Sequence, residues 1–470
     1  MQQLSGMDAS FVYFETPTSP MHVAGLSIYD PSTAPGGAVT FKGILDNVER
    51  RLHLSRVFRQ KMVRVPMDLD HPYWVEDEDF DLEFHVRHIA LPRPGDWRQL
   101  CIQVARLHSR GLDLNRPLWE LYVIEGLDNV EGVPAGSFAL FQKTHHAAVD
   151  GVSGMEIMSA INDLVPEAEP PAPDGDWHPE ADPDPWTLLG RAGLNNALKP
   201  LHYARVLGRT MPGLGRMQRQ LQRNELQAPA SSAPRTRFNG NISAHRVVGS
   251  QELDLAAMKA LKNTVPGVTV NDGVLATVGG ALRRYLEAKG ELPGESMIAM
   301  APISVRSEEQ KKAAGNQVSV MNVLLGTDIE DPRKRLEAVR ESTHQQKAFS
   351  SALGAHTLSE YSQFLPGGLA ALGARAASRM EMANVGNPTF NTVVTNVPGP
   401  QVPLYFAGAR LVNLVGVGPV NDGMGLIHPI TSYCGILTIA FTACREMLPD
   451  PAFYAECIQE SFDELAAATA

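Results

Sequence analysis

The feature that most restricts the fold of this chain is a break in its pattern. From Pro166 it reads PEAEPPAPDGDWHPEADPDPW, rich in proline and acid and without a periodic apolar face. Such a stretch cannot contribute to a packed core and reads as a linker. It separates an N-terminal lobe of residues 1–165 from a C-terminal lobe of residues 239–470, with 166–238 between them. The length agrees, because 470 residues exceed what one hydrophobic core usually organises.

The segment after the linker, Trp186 to Arg223, carries Arg191, Lys199, Arg205, Arg209, Arg216, Arg219 and Arg223 and no acid. Leu188, Leu189, Leu194, Leu201, Val206 and Leu207 are interspersed among them. Two readings fit this basic amphipathic segment. It can lie on an anionic membrane or lipid-droplet surface, or it can bridge two lobes with the acidic linker supplying counter-charges; the second is the blander and is preferred at this point. Pro200 and Pro212 are expected to interrupt a single long helix.

Around this break, strand-like and helix-like pieces alternate. MHVAGLSIYD, WELYVIEGL and GSFALFQKT read as strands. Thr40 caps a helix with Phe41, Ile44, Leu45, Val48 and Leu52 on one face, and a second helix starts at Asp96 and stops near Gly111. In the second lobe Val274, Val278, Leu282 and Leu286 recur at helical spacing before Gly290. A late helix opens on Asp450 as N-cap and Pro451, burying Phe453, Cys457, Phe462 and Leu465. The uncharged run from Met424 to Cys444 is long enough to cross a bilayer, but His428, Pro429, Thr431, Ser432 and Tyr433 make buried strands the better reading.

Bulk properties exclude several classes. A formal charge of -11 argues against nucleic acid as a partner. The four cysteines are scattered without a CxxC pair, so neither a disulfide framework nor a zinc site is indicated. The start lacks the basic head and apolar stretch of a signal peptide, and a cytoplasmic location is expected.

The chemistry concentrates in FALFQKTHHAAVDGVSGMEIM. His145 and His146 follow a strand, and Asp150 and Gly151 precede a helix carrying Val152, Met155, Met158 and Ile161, so the histidines sit on a turn where a scaffold can expose reactive groups. A histidine there can act as general base on an alcohol or thiol, since an unperturbed pKa of about 6.5 leaves neutral imidazole near pH 7. Asp150 can hold the loop or orient the imidazole, and Gly151 lets the backbone bend closely. Taken alone the motif also admits a metal site, with His146 and Asp150 at i, i+4, or a purely structural cluster.

The wider sequence narrows this. LSGMDASFVYFETPTSPMHVAGL, RPLWELYVIEGL, HHAAVDG, VNDGVLA, PISVR, GNQVSVMNVLL and TNVPGP occur in this order along nearly the whole chain. With these motifs the chain resembles the bacterial wax ester synthase/diacylglycerol acyltransferase family, itself similar to histidine-motif CoA-dependent acyltransferases and peptide-synthetase condensation domains. The resemblance implies an α/β fold of two chloramphenicol-acetyltransferase-like lobes, each a mixed sheet with helices, and a tunnel along their interface. It implies His146 as catalytic base, His145 as the histidine that assists or shapes the site, and Asp150 with Gly151 as structural members of the motif. Asn271 and Asp272 match a second pair associated with activity, for which helix capping by Asn271 is the alternative. By analogy Arg306 pairs with Asp150, and Thr395 and Asn396 are donors for an oxyanion or acyl carbonyl. Pro117, Leu118 and Trp119 are expected to pack the lobe, and the glycine-rich GVGPVNDGMG at 416–425 to form a loop.

The activity so implied is transfer of a fatty acyl group from acyl-CoA to a long-chain alcohol or diacylglycerol, giving wax ester or triacylglycerol, without metal or redox cofactor. Two alternatives are a condensation-type acyltransferase drawing on a carrier-protein-bound donor and a non-catalytic lipid-coat protein. Peripheral attachment to the inner membrane face or lipid inclusions is compatible with the basic segment.

Overall fold

The strand patterns become two six-stranded sheets in the computed structural model, which describes residues 1–149, 153–173, 175, 177–223, 226, 232–304, 318–353, 372–373 and 376–469. One compact unit is built on Met1–Ala204 and Val402–Leu414, the other on Arg205–Leu358, Ala376–Gln401 and Val415–Ala470.

The first unit opens with β1 (Gln2–Gln3) and helix α1 (Gly6–Phe14), continues through β2 (His22–Asp30), α2 (Phe41–Glu49), β3 (Gln60–Val63), β4 (Tyr73–Glu76), β5 (Val86–Ala90), α3 (Trp97–His108), β6 (Trp119–Glu125) and β7 (Phe138–His145), and is followed by α4 (Ser153–Ile161). Its main sheet runs β12-β13-β2-β7-β6-β5, with β12 at Tyr405–Phe406 and β13 at Ala409–Val417. β7 is antiparallel to β2 and β6, while β5 is parallel to β6, so the sheet is mixed. A separate small sheet has the order β1-β4-β3. The caps expected at Thr40 and Asp96 form, each side chain accepting from the backbone three residues on, although α2 ends before Leu52 and α3 before Gly111.

The second unit's sheet runs β10-β9-β11-β14-β15-β8, from β8 (Arg246–Asp254), β9 (Ile298–Ser304), β10 (Val318–Leu324), β11 (Thr392–Pro398), β14 (Leu426–Tyr433) and β15 (Ile436–Cys444). The uncharged run is thus a hairpin: every residue of β14 is buried, and Cys434 and Gly435 turn the chain at φ 44° and 88°. Two consecutive positive φ values match the right-handed twist of the flanking strands. Three helices, α6 (Val270–Ala288), α7 (Pro332–Leu353) and α8 (Pro451–Ala468), pack on this sheet. Gly279 lies inside α6, which runs unbroken through it, because a Cβ there would meet the Leu325 carbonyl oxygen at 2.1 Å; this close approach explains a residue otherwise unfavourable in a helix interior.

Three expectations are corrected. Pro185–Gln222 is one helix, α5, running straight through Pro200 and Pro212. Pro200 sits on the exposed side, where the carbonyl it leaves unbonded can be hydrated, so the lost hydrogen bond does not end the helix. The cap of α6 is Thr269, not Asn271: Thr269 and Asp272 form a reciprocal capping box, and Asn271 lies within the first turn. Asp450 precedes α8 but makes no cap bond, because its carboxylate accepts from the Tyr285 hydroxyl at 2.5 Å and pairs with Lys289. No helix among the described residues is long and apolar enough to cross a membrane.

Candidate active site

β7, an interior strand of the first unit's main sheet, ends on the first histidine. His145 is its last residue, opposite His22 in the ladder with β2, and its N–H donates to the Leu118 carbonyl at 2.9 Å. His146 then begins a short 3-10 turn, His146–Ala148, pinned by its own N–H to the Met21 carbonyl at 2.8 Å. Leu118 and Trp119 are fully buried, so the segment expected to pack the lobe also fixes the backbone of the motif.

The other wall of the turn is α1. Ser5 caps this helix, accepting from the Asp8 N–H and donating its hydroxyl to the Asp8 carboxylate at 2.6 Å. Ala9, Val12 and Tyr13 pack with Ala147 and with Met62 of β3. That seating places Phe11 and Glu15, four residues apart, against the two histidines.

The two imidazoles are treated differently. His145 is fully buried and both ring nitrogens are engaged: Nδ1 accepts from the Ala147 N–H at 3.0 Å, and Nε2 lies 2.7 Å from the Glu15 carboxylate. Because a backbone N–H only donates, the proton of a neutral His145 belongs on Nε2, pointing at Glu15. His145 is therefore held as a fixed donor and has no nitrogen left to take a substrate proton. The ring of His146 instead stacks on Phe11, with centroids 3.9 Å apart at 12°. Its Nδ1 is buried without a hydrogen-bond partner among the described residues. Burial pushes its pKa down to about 4, with the neighbouring His145 adding to the shift and contact with its own backbone opposing it. The ring is accordingly neutral at neutral pH.

A polar floor lies behind the turn. Lys143, buried in β7, pairs with Glu120 at 2.9 Å and donates to the carbonyls of Leu107 and Arg110. His22 sits beneath His145 with Nε2 2.7 Å from the His108 carbonyl oxygen; burial holds its pKa well below the usual histidine range.

Asp150, Gly151 and Arg306 lie outside the described residues. Asn271, Asp272, Thr395 and Asn396 belong to the second unit. Asp272 is buried and saturated, accepting from the Thr269 N–H and hydroxyl and from the Thr343 hydroxyl at 2.6 Å. Asn271 is half-buried. Thr395 and Asn396 lie on β11, half-exposed, opposite Pro429 and Ile430 of β14. Phe11 and Glu15 were not singled out from sequence, although both lie in the opening motif LSGMDASFVYFE at the spacing of one helical turn. The segment 416–425, expected as a loop throughout, begins in β13 with Gly416 and Val417 and only then leaves the strand for a turn, where Asp422 accepts from the Ile242 N–H and the Ser378 hydroxyl.

Comparison with known proteins identifies the class. Residues 4–274 match the family model described as the wax ester synthase/diacylglycerol acyltransferase catalytic domain, and residues 314–466 match its C-terminal domain. The chain belongs to this acyltransferase family. A putative diacylglycerol O-acyltransferase of Mycobacterium tuberculosis is 33% identical over 465 residues, covering 99% of this chain and 90% of the relative. The solved wax ester synthase/diacylglycerol acyltransferase from Marinobacter aquaeolei VT8 is 28% identical with a TM-score of 0.68, covering 99% of this chain and 98% of that one. The first condensation domain of the calcium-dependent antibiotic synthetase shares the fold at 12% identity, TM-score 0.56, over 100% of this chain and 97% of that domain. The two-lobed mixed α/β architecture implied by the resemblance is thus the family's.

Proposed function

We propose that this acyltransferase moves a fatty acyl group from acyl-CoA to the hydroxyl of a long-chain alcohol or diacylglycerol, with His146 as general base. The observation that carries the assignment is the division of labour between the histidines: His145 has both nitrogens committed to Ala147 and Glu15, whereas His146 is neutral and holds a buried nitrogen without a partner among the described residues. Neutral imidazole of His146 takes the hydroxyl proton as the alcohol oxygen attacks the thioester carbon. The C–O bond forms, the carbonyl oxygen becomes an oxyanion, and collapse breaks the C–S bond as the imidazolium protonates the departing thiolate. The low pKa that makes His146 a modest base makes its conjugate acid a ready donor in that second step.

In this reading Glu15 and His145 position the turn, Asp150 and Gly151 support it, and Arg306 pairs with Asp150. Asn271 and Asp272 serve the second unit's contribution to activity, and Thr395 and Asn396 are the candidate oxyanion donors. No residue is acylated, and no metal or redox cofactor enters the scheme.

The test is a thiol-release assay on purified His146→Ala and wild-type protein, with palmitoyl-CoA and either hexadecanol or diacylglycerol as acceptor. Loss of CoA release with an unchanged melting temperature supports the base assignment, and undiminished turnover removes it. Because the donor is free acyl-CoA, wild-type turnover also separates this reading from one requiring a carrier-bound donor.

A further inference from the structure

Phe11 gives and takes no proton, yet its ring lies flat against the imidazole of His146. It stands four residues before Glu15, so one side of α1 meets both histidines. The helix is firmly seated. Ser5 caps it, and Leu4, Ala9, Val12 and Tyr13 are buried together with Met62 and Ala147, with Phe11 packed at the margin of this cluster. The phenyl ring therefore has a fixed place at the turn.

The geometry of the contact discriminates between the two charge states of the imidazole. The centroids are 3.9 Å apart and the planes 12° from parallel. Neutral aromatic pairs usually keep about 4.5–7 Å between centroids, offset or edge to face, because their negative faces repel. A cation within about 6 Å of a ring centroid is instead drawn to that face. So close a stack is a modest partner for neutral imidazole and a good one for imidazolium.

The surroundings offer that charge little else. Burial opposes it, and so does His145, while contact of His146 with its own backbone favours it. Titratable groups on the elements packed around the turn are engaged elsewhere: Glu15 by His145, Asp8 by Ser5, His22 by the His108 carbonyl and Lys61 by Asp77. The Tyr13 hydroxyl lies 2.9 Å from His71 Nδ1. Among the described residues none of these bonds to His146 Nδ1.

We propose that Phe11 is a positioning residue of the acyl transfer, its ring face holding the His146 imidazole in one orientation and stabilising the imidazolium that forms as the alcohol loses its proton. This role rests on His146 as general base and adds a residue to that reading. The imidazolium exists from attack on the thioester carbon until it protonates the departing thiolate, so one stack serves both barriers. An interaction stronger with the charged ring than with the neutral one lowers those barriers without tightening substrate binding. Its loss therefore appears in kcat and not in KM.

The experiment replaces Phe11 with mono-, di- and trifluorinated phenylalanine, which withdraw electron density from the ring face while nearly preserving its shape. Phe11→Leu is measured beside them, keeping an apolar side chain without a π face. Single-turnover rates are followed by thiol release from palmitoyl-CoA at saturating acceptor. The rate should fall stepwise with fluorine number, by about threefold to thirtyfold in the trifluorinated protein and in Phe11→Leu, with KM within about twofold. Melting temperatures should stay within about 2 °C of wild type across the fluorine series. A flat fluorine series overturns the proposal even if Phe11→Leu is slow, because packing alone would then explain the contact. A loss confined to KM also overturns it, since the ring would then touch substrate. His146→Ala keeps the two readings apart: full turnover in that variant sinks the base assignment, whereas an inactive His146→Ala with a flat series removes only the role of Phe11.

Discussion

Two buried imidazoles, one in each unit, share an electrostatic signature and differ in what surrounds them. Burial pushes His146 down to about 4 and His428 down to about 3, so both rings are neutral at neutral pH. His428, on β14, is fully enclosed and fully satisfied: the Tyr454 hydroxyl donates to its Nε2 at 2.7 Å, and its Nδ1 faces the Thr392 oxygen at 3.1 Å, whose own proton goes to the Leu426 carbonyl. His146 stacks on one ring, is only partly enclosed, and keeps a buried nitrogen unpaired among the described residues. A depressed pKa therefore does not by itself separate a base from a structural histidine; the proposal for His146 rests also on its place in the motif, on a partly exposed turn.

The comparison breaks most sharply by deleting each ring. His146→Ala should lower kcat/KM by about a hundredfold to ten-thousandfold, the usual contribution of a positioned general base, with little change in melting temperature. His428→Ala should do the reverse. Removing it opens a cavity and strands the Tyr454 hydroxyl, costing about 3 kcal/mol of stability in denaturant titration, while the folded fraction keeps its turnover. Equal activity losses from the two variants would erase the distinction.

Glu15 sharpens the same contrast from the other side. Its carboxylate fixes the tautomer of His145, which in turn caps the turn bearing His146. Glu15→Gln keeps the shape but permits the wrong donor–acceptor pairing, so kcat should fall about tenfold to a hundredfold with KM nearly constant. A change confined to KM would mean that Glu15 touches substrate instead of positioning His145.

Acid adds a readout common to both units. His22, His85, His146 and His428 all lie below the ordinary histidine pKa of about 6.5, in each case chiefly through burial. Between that value and about 4, where His146 titrates, the unfolded chain binds protons that the folded one refuses. Stability from these groups is therefore complete above pH about 6.5 and is lost as pH falls through this window. His146→Phe, measured by chemical unfolding across the window, should show a shallower fall than wild type.

How much of this was legible in sequence varies with the range of the interaction. The strands and the caps at Thr40 and Asp96 depend on neighbours within a few residues, and the local pattern specifies them. Phe11 and Glu15 meet His146 and His145 across more than a hundred residues, a pairing that no periodicity encodes. Asp450 occupies a capping position, yet Tyr285 and Lys289 claim its carboxylate from another helix. Pro200 fails to stop α5 because neighbouring turns and solvent compensate for one missing bond. His428 was noted only as a polar residue in an apolar run, since nothing local announces Tyr454.

The pair at the start of α6 tests the finest of these distinctions. Thr269→Ala removes the cap and one partner of buried Asp272, so it should cost about 1 kcal/mol. Asn271→Ala should change stability by less than about 0.5 kcal/mol, because Asn271 is half-buried and makes no cap. The two substitutions lie on one helical turn, so their effects on local backbone are matched as closely as the chain allows. Turnover lost in Asn271→Ala at unchanged stability would then belong to substrate handling and not to helix formation. Were Asn271→Ala the more destabilising, the capping geometry of this turn would be wrong, and the link between this pair and activity would reduce to folding of the second unit.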